Sequence, residues 1–219
     1  MNEFLLGVGS SLVATALTVL GGWLSIKRLR RWPIAMLSRL TGLGIVRLYS
    51  YQKQANSDLG DDLADARWVK VFAGRGNELT RDSFRSVLEG TGRRLESVEI
   101  LLPDPDAGPS SWLSHRESEV RRHDAGYESG LLAEQVRANI SYLLAITNQT
   151  HHVQLRMYDL PNTCRIILTD RVAYFTPYEA RAHGRNSPCL VFRSPGLLYD
   201  YALRIFSTAW ERATPAKEV

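Results

Sequence analysis

Short apolar runs alternating with amphipathic stretches constrain this chain more than any other feature. "WVKVFAG", "SVEILLPDP", "VQLRMYD" and "PCLVFRS" are too short for buried helices and rich in Val, Ile and Leu, so they read as strands; Pro103 and Pro105 stop the second. Between them, Thr80 to Glu89 turns Phe84, Val87 and Leu88 to one side, and "LLAEQVRANISYLLAITNQ" does the same with Leu132, Val136, Ile140, Leu143 and Leu144. A last helix over Leu197 to Ala213 carries Leu198, Tyr201, Ile205 and Trp210 on its expected inner face. Asn162 to Tyr178 reads as two strands around an Asp-centred turn, an antiparallel hairpin. Upstream, Ile45 to Tyr51 reads as a strand, and "KQANSDLGDDLADA" as a helix with Leu59, Leu63 and Ala66 inward. Strands alternating with helices, plus one hairpin, predict an α/β layer structure with a mixed sheet. Two long polar loops, Asp104 to Ser129 and Thr176 to Pro188, are left over, and long loops in compact domains commonly carry function.

The N-terminal part has a different character. Phe4 to Ile26 holds no charged residue, and "KRLRR" follows it at once. An uncharged run of this length predicts a single membrane-crossing helix, and the basic cluster behind it predicts that the remainder lies in the cytoplasm, at the inner membrane. A cleaved signal peptide fits less well, because only Asn2 and Glu3 precede the run, without a basic side chain. Ser10, Ala14, Thr18 and Gly22 form a stripe of small residues on one face, the pattern that lets helices approach closely in lipid, so the expected partners are the bilayer and a second copy of the chain. The expected layout is an anchor with its basic cluster over 1–33, a linker with a first strand and helix over 34–66, and the main α/β domain over 67–215.

Outside that cluster the charge is scattered. With a net charge of +4 and only small basic groups such as Arg93-Arg94 and Arg121-Arg122, a nucleic-acid groove is not indicated. Cys164 and Cys189 lie in apolar runs without metal-ligand spacing, so buried reduced thiols are expected, with neither metal nor cofactor.

The hairpin carries the chemistry. Thr163-Cys164-Arg165 is followed by Asp170. This hairpin, the order of strands and the closing "FRSPGLLYDYALRIFSTAWERA" together resemble a half-domain of the phospholipase D superfamily over Val69 to Ala213. The resemblance implies a phosphodiester site built from two such halves, each giving a His-x-Lys pair and an Asp five residues after the Lys. On this chain Thr163 takes the His place, Arg165 the Lys place and Asp170 the Asp place. Arg165 can hold a phosphate, and bidentately. Thr163 cannot replace an imidazole, because its hydroxyl titrates far above neutral pH and no base adjoins it. His183-Gly184-Arg185 has the His-x-basic form but lacks the trailing Asp, while His115, His123, His151 and His152 read as surface or helix-end residues. Two readings stand for Arg165, a ligand holder or a solvent-facing side chain, and two for Asp170, a ligand-related group or a turn former.

A second candidate is the stretch "FAGRGNELT", where Gly74 and Gly76 flank Arg75 between a strand and a helix capped by Thr80; backbone N–H groups at such a turn can cradle an anion. Arg156, on the strand before the hairpin, adds a further positive charge, and His183 completes the set of candidate ligand residues. The expectation is a non-catalytic binding module or sensor for a phosphate-bearing ligand such as a nucleotide, coupled to self-association at the membrane. Chains of this build resemble bacterial conflict or stress effectors. The alternatives are a membrane-bound phosphodiesterase or phospholipase with an atypical site, and a scaffold.

Overall fold

A computed structural model describes residues 15, 36–80, 82–90, 94–124, 126–178 and 186–216. Eight strands form one sheet: β1 (Ile45–Tyr49), β2 (Trp68–Phe72), β3 (Ser97–Pro103), β4 (Val153–Tyr158), β5 (Cys164–Thr169), β6 (Val172–Pro177), β7 (Cys189–Arg193) and the short β8 (Thr214–Pro215). Their order across the sheet is β1-β7-β6-β5-β2-β3-β4-β8. β2, β3 and β4 run parallel, and every other pairing is antiparallel.

Helices cover both faces. One face packs against α1 (Asn56–Ala64), α2 (Asp82–Leu88), α3 (Trp112–His123) and α4 (Leu131–Thr147), through Leu59, Leu63, Phe84, Val87, Leu113, Val136 and Leu143. The other packs against α5 (Leu197–Arg212), through Tyr199, Ala202, Phe206 and Ala209. Strand β5 shows the consequence for sequence pattern. Cys164, Ile166 and Leu168 face α5, Ile167 faces the other core, and all six residues of the strand are buried. A strand covered on both sides gives no polar–apolar alternation to mark an outer face.

The sequence pattern is corrected in three places. The polar segment Asp104–Ser129 contains α3, whose first turn is capped by Ser111, the side chain accepting from Ser114 N at 3.3 Å. In α5 the buried stripe is Tyr199, Ala202, Phe206 and Ala209, one position out of phase with the expected Leu198, Tyr201, Ile205 and Trp210; Tyr201 is 51% exposed. The alanines bring the helix close to the sheet, leaving the larger Leu198, Ile205 and Trp210 to seal the margins.

The third correction concerns the membrane. No helix among the described residues is long and apolar enough to cross one. The longest described element, α4, has 17 residues, about 26 Å at 1.5 Å per residue against a hydrocarbon core of about 30 Å, and it carries Glu134 and Arg137. The expected fold class of a membrane-crossing helix ahead of an α/β domain is therefore corrected to a mixed α/β fold, and the expected inner-membrane location is withdrawn with it. The run 4–26 lies outside the described residues except for Thr15, so the stripe Ser10, Ala14, Thr18 and Gly22 lies outside as well.

Candidate functional site

The site is dictated by topology. From β2 the chain steps one way to β3 and β4, then returns to place β5 on β2's other side. In open α/β sheets the crevice beyond the carboxyl ends of the strands, where strand order reverses, is the usual place for a ligand. Here that place is bounded by the turn after β2, residues 73–80, and by the start of β5, where Ile166 pairs with Phe72.

Arg165 projects into this region from β5 and is only 6% exposed. Its Nη1 is paired with the Glu78 carboxylate, which the turn after β2 delivers. Nη2 donates to Thr176 Oγ1 at 3.3 Å, directly across the hairpin on β6. Gln52, in the 3-10 turn Gln52–Ala55 after β1, is 2% exposed. With its amide oxygen turned to Arg165, Gln52 accepts from Nη2 at 3.0 Å and donates to Glu78 Oε1 at 3.2 Å. The Nε–H of Arg165 is buried and has no hydrogen-bond partner among the described residues. The result is a small network with one donor unspent.

Two protonatable groups border it. The Tyr178 hydroxyl receives the Gly74 N–H at 3.2 Å. Burial pushes that hydroxyl up to about 12, although the Arg165 charge and the Gly74 N–H both favour the phenolate. Burial likewise raises the Cys189 thiol against the pull of Thr176 and Arg165, and pushes Cys164, on the opposite face of β5, up to about 11. Near neutral pH these groups carry their protons, so neither thiol nor phenol is poised as a nucleophile. Among the described residues no hydrogen bond joins a histidine to the cluster. His152, for instance, contacts the Val87 carbonyl at 3.2 Å.

The floor is rigid. Tyr158 donates to the Ala73 carbonyl at 3.0 Å, Asn162 donates to Tyr158 at 2.6 Å, and Cys164 N donates to Asn162 Oδ1 at 3.0 Å. Asn139 of α4 holds the glycine turn from the other side, donating to the Arg75 carbonyl at 2.8 Å and to Asn77 Oδ1 at 2.7 Å. Gly76 has φ +85°, and a Cβ there would lie 2.9 Å from Leu102 Cδ2.

The candidates from sequence are thus partly gathered and partly dispersed. Arg165, Gly74 and Gly76 meet at the carboxyl end of β2. Arg75 is half-buried in the same turn, and its charge acts on Tyr127, offsetting in part the burial that raises that hydroxyl. Thr163 is exposed at the rim, its carbonyl accepting from Tyr178 N at 2.8 Å. Asp170 sits at the far end of β5, where Oδ1 accepts from Arg67 N at 2.9 Å and fastens the start of β2. Arg156 closes the carboxyl end of α5, donating to the Trp210 carbonyl at 3.0 Å with its guanidinium 4.5 Å from the Trp210 ring centre. His183 lies outside the described residues. Sequence reasoning missed Glu78, Gln52, Thr176 and Tyr178; a Glu in a glycine-containing turn opposite a strand Arg was the only available hint.

Solved structures similar in arrangement include Nuc from Salmonella typhimurium, a phospholipase D family member, with 13% identity and a TM-score of 0.49 over 78% of this chain and 97% of that chain. NucT from Helicobacter pylori is 12% identical, with a TM-score of 0.40 over 75% of this chain and 92% of that one. The archaeal chromatin protein TrmBL2 is 13% identical, with a TM-score of 0.49 over 96% of this chain and 71% of that one. No protein-family model matches the sequence, and no curated protein matches it.

Proposed function

We propose that this chain is a binding protein for a phosphate-bearing ligand, held at Arg165 and not cleaved. The observation that carries the reading is the buried guanidinium at the carboxyl edge of β2, with its Nε–H unmatched among the described residues. A buried donor without a partner costs about 1–3 kcal/mol, so a ligand oxygen delivered there recovers free energy that the network leaves unused. Guanidinium suits phosphate because its fork of donors matches two phosphate oxygens. The protonated state of Cys189 and Tyr178 supports binding over covalent chemistry.

The test is a thermal-shift and calorimetric titration of the full chain with pyrophosphate and a panel of nucleotides, beside an Arg165→Ala variant. The expected result is saturable binding by at least one of them, lost in the variant. Hydrolysis of a chromogenic phosphodiester by the full chain, abolished by Arg165→Ala, would replace this reading with the enzyme one.

A further inference from the structure

We infer that Glu78 is a built-in competitor for the Arg165 site: its carboxylate occupies the guanidinium where an anionic ligand must bind, so ligand entry requires Glu78 to leave. The inference rests on the phosphate-binding reading of that site and adds what controls it.

The two partners are unequally placed. The Arg165 side chain is 8% exposed on a central strand, whereas the Glu78 side chain is 22% exposed and belongs to a turn. Arg165 can swing outwards only by giving up the Nη2 hydrogen bonds to Thr176 and Gln52. Glu78 can move out by rotating about its own side-chain bonds, since its carboxylate is tied only to Arg165 and to the Gln52 amide among the described residues. A carboxylate and a phosphate oxygen make the same demand of a guanidinium, namely charge-assisted N–H donors in one plane. The two therefore exclude each other at Nη1. With Glu78 in place the site presents a neutral pair to an incoming anion, and the like charge of Glu78 opposes its approach.

The competition also predicts specificity. A ligand offering one acceptor to Nε satisfies that donor but still meets the charge of Glu78, so monoanionic or singly coordinating groups bind more weakly than those that displace it. A group with two adjacent oxygens can take Nη1 and Nη2, which share one edge of the guanidinium, and displace the carboxylate; a second phosphate can then reach Nε, which shares the other edge with Nη2. Pyrophosphate and nucleoside diphosphates meet this condition, and a neutral nucleoside does not.

The experiment is calorimetric titration of the full chain with pyrophosphate, comparing the native protein with Glu78→Gln, Glu78→Asp and Arg165→Ala. Glu78→Gln keeps the side-chain shape but removes the competing charge and one of the two acceptor oxygens, and it is expected to bind at least tenfold more tightly, about 1.4 kcal/mol. Glu78→Asp retains the charge on a shorter arm and is expected to fall between the two; it also serves if Glu78→Gln folds poorly. An affinity unchanged or weakened in Glu78→Gln, with native binding that still depends on Arg165, overturns the competitor role and leaves the binding reading intact. No binding of pyrophosphate or of any nucleotide in the panel by the native protein or any Glu78 variant overturns the binding reading itself, and the competitor role with it; where a nucleotide binds and pyrophosphate does not, the same comparison is made with that nucleotide.

Discussion

Replacing Gly76 by Ala tests whether the turn that delivers Glu78 is as constrained as its geometry implies. Gly76 has φ +85°, and an added Cβ would stand 2.9 Å from Leu102 Cδ2 and 3.1 Å from Cδ1. Leu102 is 0% exposed on the central strand β3, so it has little room to yield. Left-handed backbone costs a residue with a Cβ about 1–2 kcal/mol, and overpacking a filled core adds about 1–3 kcal/mol. The sum, about 2–5 kcal/mol, corresponds to a fall of about 5–15 °C in melting temperature for a chain of this size. Urea unfolding of the full chain, followed by tryptophan fluorescence, gives the number directly. The two terms separate in a double-mutant cycle with Leu102→Val, which removes the clashing methyl groups for about 1 kcal/mol of its own. In that background Gly76→Ala should cost only the backbone part, about 1–2 kcal/mol. Equal costs in both backgrounds would refute the steric half of the reasoning, and a Gly76→Ala variant within about 0.5 kcal/mol of the native protein would refute all of it.

Two further outcomes follow from the buried protonated groups. Tyr178 and Tyr199 are both pushed up to about 12 by burial, against an ordinary value of about 10 in the unfolded chain. The folded state keeps these protons where the unfolded state has lost them, so stability is complete below pH 10 and falls as pH rises from there through 12. Urea midpoints between pH 9 and 11.5 should show the fall, and Tyr178→Phe should flatten it by up to about 1.4 kcal/mol per pH unit; superimposable curves would count against a buried Tyr178 hydroxyl. Cys164 and Cys189 are buried and their thiols are raised. Ellman's reagent at pH 8 should therefore label neither thiol in the native chain and both in denaturant; rapid native labelling would contradict their placement.

The elements that were legible in the sequence are those whose pattern is local. Strands β2 to β7 announce themselves through Val-, Ile- and Leu-rich runs, and α4 through the spacing of Leu132, Val136, Ile140 and Leu143, all buried as expected. Helix α3 escaped because Trp112, Leu113 and Val120 are too few to outline a face among so many charges; its signals are the Ser111 cap and the Arg116–Glu119 pair, which are visible only once a helix is assumed. The phase of α5 escaped because large apolar residues lie on two adjacent stripes, and the choice between them depends on how closely the helix approaches the sheet. The burial of Arg165, a candidate ligand holder on sequence, escaped for a similar reason. Its neighbours Cys164 and Ile166 suggested alternation, but a second layer covers the face to which Arg165 points. Glu78 and Gln52, which neutralise and hold it, come from turns far away in sequence and are brought in by the sheet order.

The same geometry explains why the spacing Arg165-x-x-x-x-Asp170 does not make one binding site on this chain. Five residues of extended strand span about 16 Å, and an odd separation points the two side chains to opposite faces of the sheet. Arg165 begins β5, beside the carboxyl end of β2; Asp170 follows its end, beside the start of β2, where it fastens Arg67 N. Asp170 lies at the turn, one of its two readings, but the side-chain bonds there come from Thr169, whose Oγ1 accepts from Arg171 N at 3.2 Å and Val172 N at 3.1 Å. A phosphate held at Arg165 therefore draws its other contacts across strands and not along one. Thr176 lies opposite on β6, Gln52 arrives from the turn after β1, and the turn after β2 brings in Glu78, the group a phosphate must displace. Substituting Asp170 should loosen the β2–β5 edge without touching ligand affinity, whereas each of the cross-strand residues should alter affinity. A ligand whose affinity fell with Asp170→Asn and not with Thr176→Val would place the binding site at the wrong end of the strand for every argument made from Arg165.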